Sequence, residues 1–173
     1  MMARGGRLPR SPARGVVEGQ VVVATVSVTV RATPAAVDAV LADGWAYTGW
    51  VVGASHVRAV QADWPAVGSR LFHASGNWLL LMEDHTPVEQ VDPGRRLVPR
   101  AYGGSLGDAR IELSLTPDGP TGDHTRVTMV ETPVAGPGKW FHNPIADAVL
   151  TRRNTEARTR LGCLAERPTT PTK

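Results

Sequence analysis

The chain has 173 residues, 42% hydrophobic and 20% charged, a balance that excludes disordered and fibrous classes and suits one globular domain. At about 150 residues a domain hides roughly 70% of the surface its unfolded chain exposes, enough for a core or an enclosed cavity. The formal net charge of +3 resides in residues 1–19, where Arg4, Arg7, Arg10 and Arg14 oppose Glu18. The remaining fifteen basic and fifteen acidic groups cancel, which argues against nucleic acid as a partner of the folded body.

Residues 1–19 (MMARGGRLPRSPARGVVEG) mix Gly, Pro and Arg without periodicity. They lack the apolar stretch of about 7 to 15 residues that a secretory signal needs. A disordered basic arm is expected there, followed by a folded domain over 20–167 and a disordered tail over 168–173. Without an export signal, and with one thiol in the chain, the expected compartment is the cytoplasm.

From Gln20 to Arg31 the sequence QVVVATVSVTVR is β-branched and sets Val26, Val28 and Val30 against Thr25, Ser27 and Thr29, the pattern of a half-buried strand. Thr33-Pro34 is an N-cap with proline in the first helical position. The helix carries Val37, Val40 and Leu41 on one face and stops at Asp43-Gly44. Trp45 to Trp50 is a second short helix or turn. Six strands are then expected, over 54–62, 69–74, 78–91, 95–102, 109–116 and 125–133, separated by turns such as Ser75-Gly76-Asn77 and Asp92-Pro93-Gly94. No apolar run approaches the ~20 residues of a membrane span. A last helix runs from Asn143 (N-cap) and Pro144 to about Glu166, where Arg167-Pro168 stops it. Its 24 or so residues would extend about 36 Å, long enough to cover a sheet face.

Five segments resemble the SRPBCC superfamily, the START-like and polyketide cyclase/dehydrase-type proteins. They are TPAAVDAVLAD from Thr33, WVVGASHVRA from Trp50, WPAVGSR from Trp64, VEQVDPGRRLV from Val88 and TRVTMVE from Thr125. The resemblance covers about residues 20–166. It implies an α+β helix-grip (START-like) fold: a curved antiparallel sheet of about seven strands wrapped around a long C-terminal helix, with two short helices after strand 1. It also implies a deep cavity that commonly takes lipophilic ligands. The quoted segments are helix entries, turns and strand ends rather than catalytic signatures, and the superfamily spans carriers, cyclases, hydroxylase subunits and coenzyme-Q-binding proteins. Fold alone therefore does not assign chemistry.

Chemistry must come from side chains. His56, His73, His85, His124 and His142 share no metal-ligand spacing, and read as solvated or singly hydrogen-bonded; no metal and no cofactor is expected. No GxSxG elbow occurs. Cys163, the single cysteine, excludes a disulfide framework and lies on or near the last helix's apolar stripe, where it reads as a small buried hydrophobe.

Two places break the binary pattern, and such breaks are where function tends to sit. Glu131 shares strand parity with Val127 and Met129, so it faces a cavity if they do. There it could be a general acid or base or a hydrogen-bond anchor, with a place at the wet strand end as the plain alternative. On the last helix, Arg153 and Asn154 interrupt a stripe of Ile145, Val149 or Leu150, Ala157, Leu161 and Leu164. Either a partner or ligand satisfies them, or Arg153 snorkels to water and Asn154 bonds nearby backbone. Five of the nine aromatic residues are tryptophan, and Trp45, Tyr47, Trp50, Trp64 and Trp78 crowd one stretch; Tyr47, Trp50 and Trp78 are the candidate pocket walls, with core packing as the alternative. Trp140 follows Gly136-Pro137-Gly138, a place where a lid could hinge.

The expected function is binding of a hydrophobic small molecule (lipid, polyketide-like or aromatic) in an internal cavity, with Glu131, Asn154, Arg153, Trp50, Trp78, Met129 and Tyr47 as ligand-binding candidates. The alternatives are a cyclase/dehydratase-type enzyme using Glu131 as its catalytic carboxylate, and a partner-binding protein with a filled interior. The partner called for is a small hydrophobic ligand, with no nucleic acid and no membrane span; a homodimer is left open.

Overall fold

The computed structural model describes residues 16–17, 20–21, 24–77, 80–102, 107–136 and 144–167. The elements run β1 (Val16–Val17), β2 (Gln20–Val21), β3 (Ala24–Val30), α1 (Pro34–Ala42), a 3₁₀ turn (Gly44–Ala46), α2 (Tyr47–Trp50), β4 (Ala54–Val60), β5 (Arg70–Asn77), β6 (Leu80–Asp92), β7 (Arg96–Tyr102), β8 (Asp108–Asp118), β9 (His124–Ala135) and α3 (Pro144–Ala165). Seven strands form one antiparallel sheet in the order β3-β9-β8-β7-β6-β5-β4. α3 lies across its concave face, against β3, α1 and α2. The fold is the helix grip.

The strand expected as one piece from Gln20 to Arg31 is divided. Gln20–Val21 pairs with Val16–Val17 in a separate two-stranded sheet, and Ala24–Val30 joins the main sheet beside β9. Thr33 caps α1 as expected, its Oγ1 accepting from Ala36 N at 3.3 Å, with Pro34 in the first turn. Gly44 then lets the chain turn hard against the sheet. A Cβ at that position would stand 2.6 Å from Val60 Cγ1 and 3.1 Å from Leu71 Cδ1, so only hydrogen fits without displacement.

Alternation decides which way each strand faces. On β9, Thr125, Val127, Met129 and Glu131 are buried while Arg126 is exposed; on β8, Leu113 and Leu115 are buried and Glu112 is not. Opposite them, α3 presents Asn154, Ala157, Leu161 and Ala165, spaced three or four residues apart, with Arg158 buried beside Ala157. Cys163 corrects the expectation of a buried thiol: it is exposed. It stands two residues beyond the inward Leu161, a rotation of about 200° on a helix, and so belongs to the outer face. The N-cap at Asn143 and the hinge before Trp140 lie outside the described residues. No helix among the described residues is long and apolar enough to cross a membrane.

Candidate functional site

Between the sheet and α3 lies a cavity of about 330 Å³. Its walls are apolar over most of their extent, with Trp50, Ile111, Met129 and Ala157 among them. Polar side chains enter it in two groups.

The first group joins α3 to β9. Glu131 sits in register between Ala24 of β3 and Ile111 of β8, and only 8% of its side chain is exposed. Arg153 Nη2 donates to both its oxygens, at 2.9 and 2.8 Å, and Asn154 Nδ2 donates to Oε2 at 2.8 Å. Asn154 lies on the inward stripe and is buried, whereas Arg153, about 100° round the helix, keeps 39% of its side chain in solvent. The partnered alternative is therefore the one observed: Arg153 does extend to water, but both residues close on Glu131. Arg153 and Asn154 line the cavity; Glu131 is not among the lining residues and holds the other two in place.

Of the second group, only Tyr47 was singled out from the sequence. His73 is buried, contrary to the expectation of a solvated or singly bonded histidine. It shares β5 parity with Leu71 and so turns inward. Its Nε2 meets Thr86 Oγ1 at 3.1 Å and its Nδ1 meets Ser75 Oγ at 3.2 Å. Thr86, fully buried on β6, also meets Tyr47 OH at 3.2 Å. The His73 ring stacks on Tyr47 with centroids 5.1 Å apart, and Tyr47 meets Trp50 edge-on at 5.5 Å. Burial pushes the His73 imidazole below the usual histidine range, against the pull of Asp84, which stands opposite it across the β5–β6 ladder. Burial likewise raises the Tyr47 phenol, against its hydrogen bond with Thr86.

Of the residues singled out from the sequence, Tyr47, Trp50, Met129, Arg153 and Asn154 meet around this one cavity. Trp78 lies outside the described residues. Trp45 is 61% exposed, and Trp64 packs against the core with its indole Nε1 donating to Leu41 O at 3.3 Å; neither lines the cavity. Arg158 is buried on α3. Its Nε donates to Asn154 O and its Nη2 to Thr155 Oγ1, while Nη1 finds no partner among the described residues, and burial lowers its pKa. Among the described residues no group of three or more His, Cys, Asp or Glu side chains is placed to hold a metal ion.

Residues 21–166 match the protein family described as polyketide cyclase / dehydrase and lipid transport. No curated protein matches the chain. Among solved structures, a START superfamily protein from Mycobacterium smegmatis is 16% identical, with a TM-score of 0.63 over 83% of this chain and 96% of that one. The Zhui aromatase/cyclase from a Streptomyces species is 18% identical, with a TM-score of 0.60 over 86% and 95% of the two chains. A Staphylococcus aureus protein of unknown function is 10% identical, with a TM-score of 0.63 over 83% and 93%. At these identities the likeness concerns the fold.

Proposed function

The chain belongs to the polyketide cyclase / dehydrase and lipid transport family, of SRPBCC type, and from that premise we propose that it binds a hydrophobic small molecule in the cavity under α3. One observation carries the reading: an apolar cavity of about 330 Å³ in which Arg153 and Asn154 form a fixed polar end. That volume lies at the lower end of the range of about 300–1,000 Å³ usual for small-molecule sites. Glu131 is the positioning residue. Its carboxylate accepts from both cavity-facing donors, which sets their direction and leaves other N–H groups of the guanidinium and the amide for a ligand oxygen. A cavity of this size gives no support to a filled interior.

Native mass spectrometry of the purified full chain, with organic extraction of what co-purifies, tests this directly. A bound apolar molecule, released on unfolding, is the expected outcome. If the protein takes up neither a cellular ligand nor a neutral apolar dye such as N-phenyl-1-naphthylamine, the cavity is not a binding site.

A second reading, a cyclase/dehydratase-type enzyme, draws on one observation of its own. His73 and Asp84 face each other across two strands, and both line the cavity with Tyr47. A neutral imidazole beside a carboxylate can serve as a proton-transfer pair. Glu131 is less suited to that part, because its carboxylate is occupied by Arg153 and Asn154. Turnover by this pair requires the imidazole, so His73→Gln should abolish any reaction found while an Asn154 variant weakens binding.

A further inference from the structure

We propose that the cavity holds a second polar subsite, formed by Tyr47, Thr86, His73 and Ser75, that takes an uncharged hydroxyl or carbonyl oxygen of the bound molecule. The inference rests on the reading that the cavity binds a small molecule, and adds to it where on the ligand the oxygen sits and what charge the ligand bears.

The four side chains form one line of hydrogen bonds: Tyr47 OH to Thr86 Oγ1, Thr86 Oγ1 to His73 Nε2, and His73 Nδ1 to Ser75 Oγ. With the imidazole neutral, each residue brings one polar hydrogen. Three contacts among the described residues use three of the four, so one hydrogen is left for an outside acceptor. The tautomer of His73 decides where it appears. If Nδ1 carries the hydrogen and donates to Ser75, the spare donor is the Ser75 hydroxyl. If Nε2 carries it and donates to Thr86, the spare donor moves to the Tyr47 end. Lone pairs on the three hydroxyl oxygens remain to accept from a ligand hydroxyl. All four residues line the cavity, so these capacities point at its contents.

The group is also held rigidly. Tyr47, His73 and Thr86 are buried, the two rings are stacked, and Trp50 closes the edge of Tyr47. Donors fixed before binding lose little entropy when a ligand arrives. Polar groups arranged this way discriminate strongly, because an analogue without the oxygen leaves them unpaired in an apolar wall.

Charge narrows the ligand class. The Arg153 guanidinium is matched by Glu131 behind it, and Asp84 adds a further carboxylate to the wall. Among the described residues that line the cavity, no uncompensated cation is left to hold an anion. The molecule that fits is an uncharged apolar skeleton bearing at least one hydroxyl or carbonyl.

Calorimetric titration of the full chain with naphthalene, 2-naphthol and 2-naphthoate tests this. The three probes share one ring system and differ in the polar group. In a purely apolar pocket naphthalene wins, since a buried hydroxyl without a partner is penalised. The subsite predicts instead that 2-naphthol binds at least about tenfold tighter than either of the others, and that Thr86→Val shrinks its advantage over naphthalene to about threefold or less. Should Thr86→Val fail to fold, Tyr47→Phe takes its place with the same expectation. Naphthalene binding as tightly as 2-naphthol overturns the subsite and leaves the cavity reading standing. Tightest binding of 2-naphthoate, or an undiminished 2-naphthol preference in the variants, overturns it likewise. Binding of none of the three probes overturns both.

Discussion

Replacing Glu131 by Gln keeps the shape of the side chain and removes its charge, so it isolates what the carboxylate contributes. The charged acceptor receives two contacts from Arg153 and one from Asn154, all between 2.8 and 2.9 Å. Gln can place its carbonyl where Oε2 was and keep two of them, each at about half its former strength because the acceptor is neutral. Its amide nitrogen then opposes Arg153 Nη2, and that contact is lost. Arg153, with 39% of its side chain in solvent, can rehydrate, so the full penalty of a stranded buried cation does not arise. Hydrogen bonds to charged groups are worth about 1.5–3 kcal/mol, which sets the net loss at about 2 kcal/mol. For a chain of this size that lowers Tm by about 4–8 °C. Arg153→Met should cost more, about 3–5 kcal/mol, because it strands a carboxylate that is only 8% exposed with Asn154 as its sole remaining donor in this cluster. The order of the two losses is the sharp test, read by thermal unfolding followed by circular dichroism. A Glu131→Gln variant within 1 °C of the parent, or an Arg153→Met variant milder than it, refutes the reasoning. In the same variant, affinity for 2-naphthol should fall by no more than about tenfold, since Glu131 acts on the ligand through Arg153 and Asn154.

Gly44→Ala should destabilise by about 1–3 kcal/mol, because the added methyl would stand 2.6 Å from Val60 Cγ1; chemical denaturation at unchanged slope checks it. Arg158→Met should raise Tm, since it removes a buried cation that, among the described residues, has no partner for Nη1 and gains two hydrogen bonds, both from its own helix; a lower Tm means those bonds outweigh the desolvation. Stability should decline as pH falls below about 6.5. The unfolded chain takes up a proton at His73 there, while burial holds the folded imidazole at a lower pKa, so the unfolded state binds more protons until the folded value is passed. His73→Gln should flatten the fall in Tm between pH 7.5 and 5, and an unchanged slope would assign the effect to other groups.

Half of the polar wall was legible in the sequence because it breaks a period visible without pairing information. Thr125, Val127, Met129 and Glu131 alternate along one strand, and Asn154, Ala157 and Leu161 recur along one helix, so a carboxylate and an amide at inward positions stand out. The other half is equally inward, as Leu71-His73-Ser75 on β5 and Asp84-Thr86-Val88 on β6, but neither triplet says what it meets. That depends on the register, which sets Leu71 opposite Thr86 and His73 opposite Asp84, and on α2 bringing Tyr47 over both. A slip of one residue in that register would turn one of the two triplets outward. The family resemblance foretold the sheet, the long helix and the cavity, while the stripe placed Cys163 by spacing that was off by half a turn.

That asymmetry bears on how the site works. A histidine, a threonine and a tyrosine set on three separate elements carry no stability argument that an apolar trio could not meet, since each costs desolvation that only the others repay. The Glu131 cluster can be defended as a clamp between α3 and β9; in the His73 line the His73–Thr86 contact joins β5 to β6, strands already joined by their own ladder of backbone hydrogen bonds, and only the Tyr47–Thr86 contact ties a further element, α2, to the sheet. A polar line that faces a cavity and has a hydrogen to spare is what the proposed subsite requires. The choice between a carrier and an enzyme then turns on whether the imidazole merely orients a ligand oxygen or passes it a proton, and exchanging His73 for Gln separates those two by leaving most of the binding and none of the turnover.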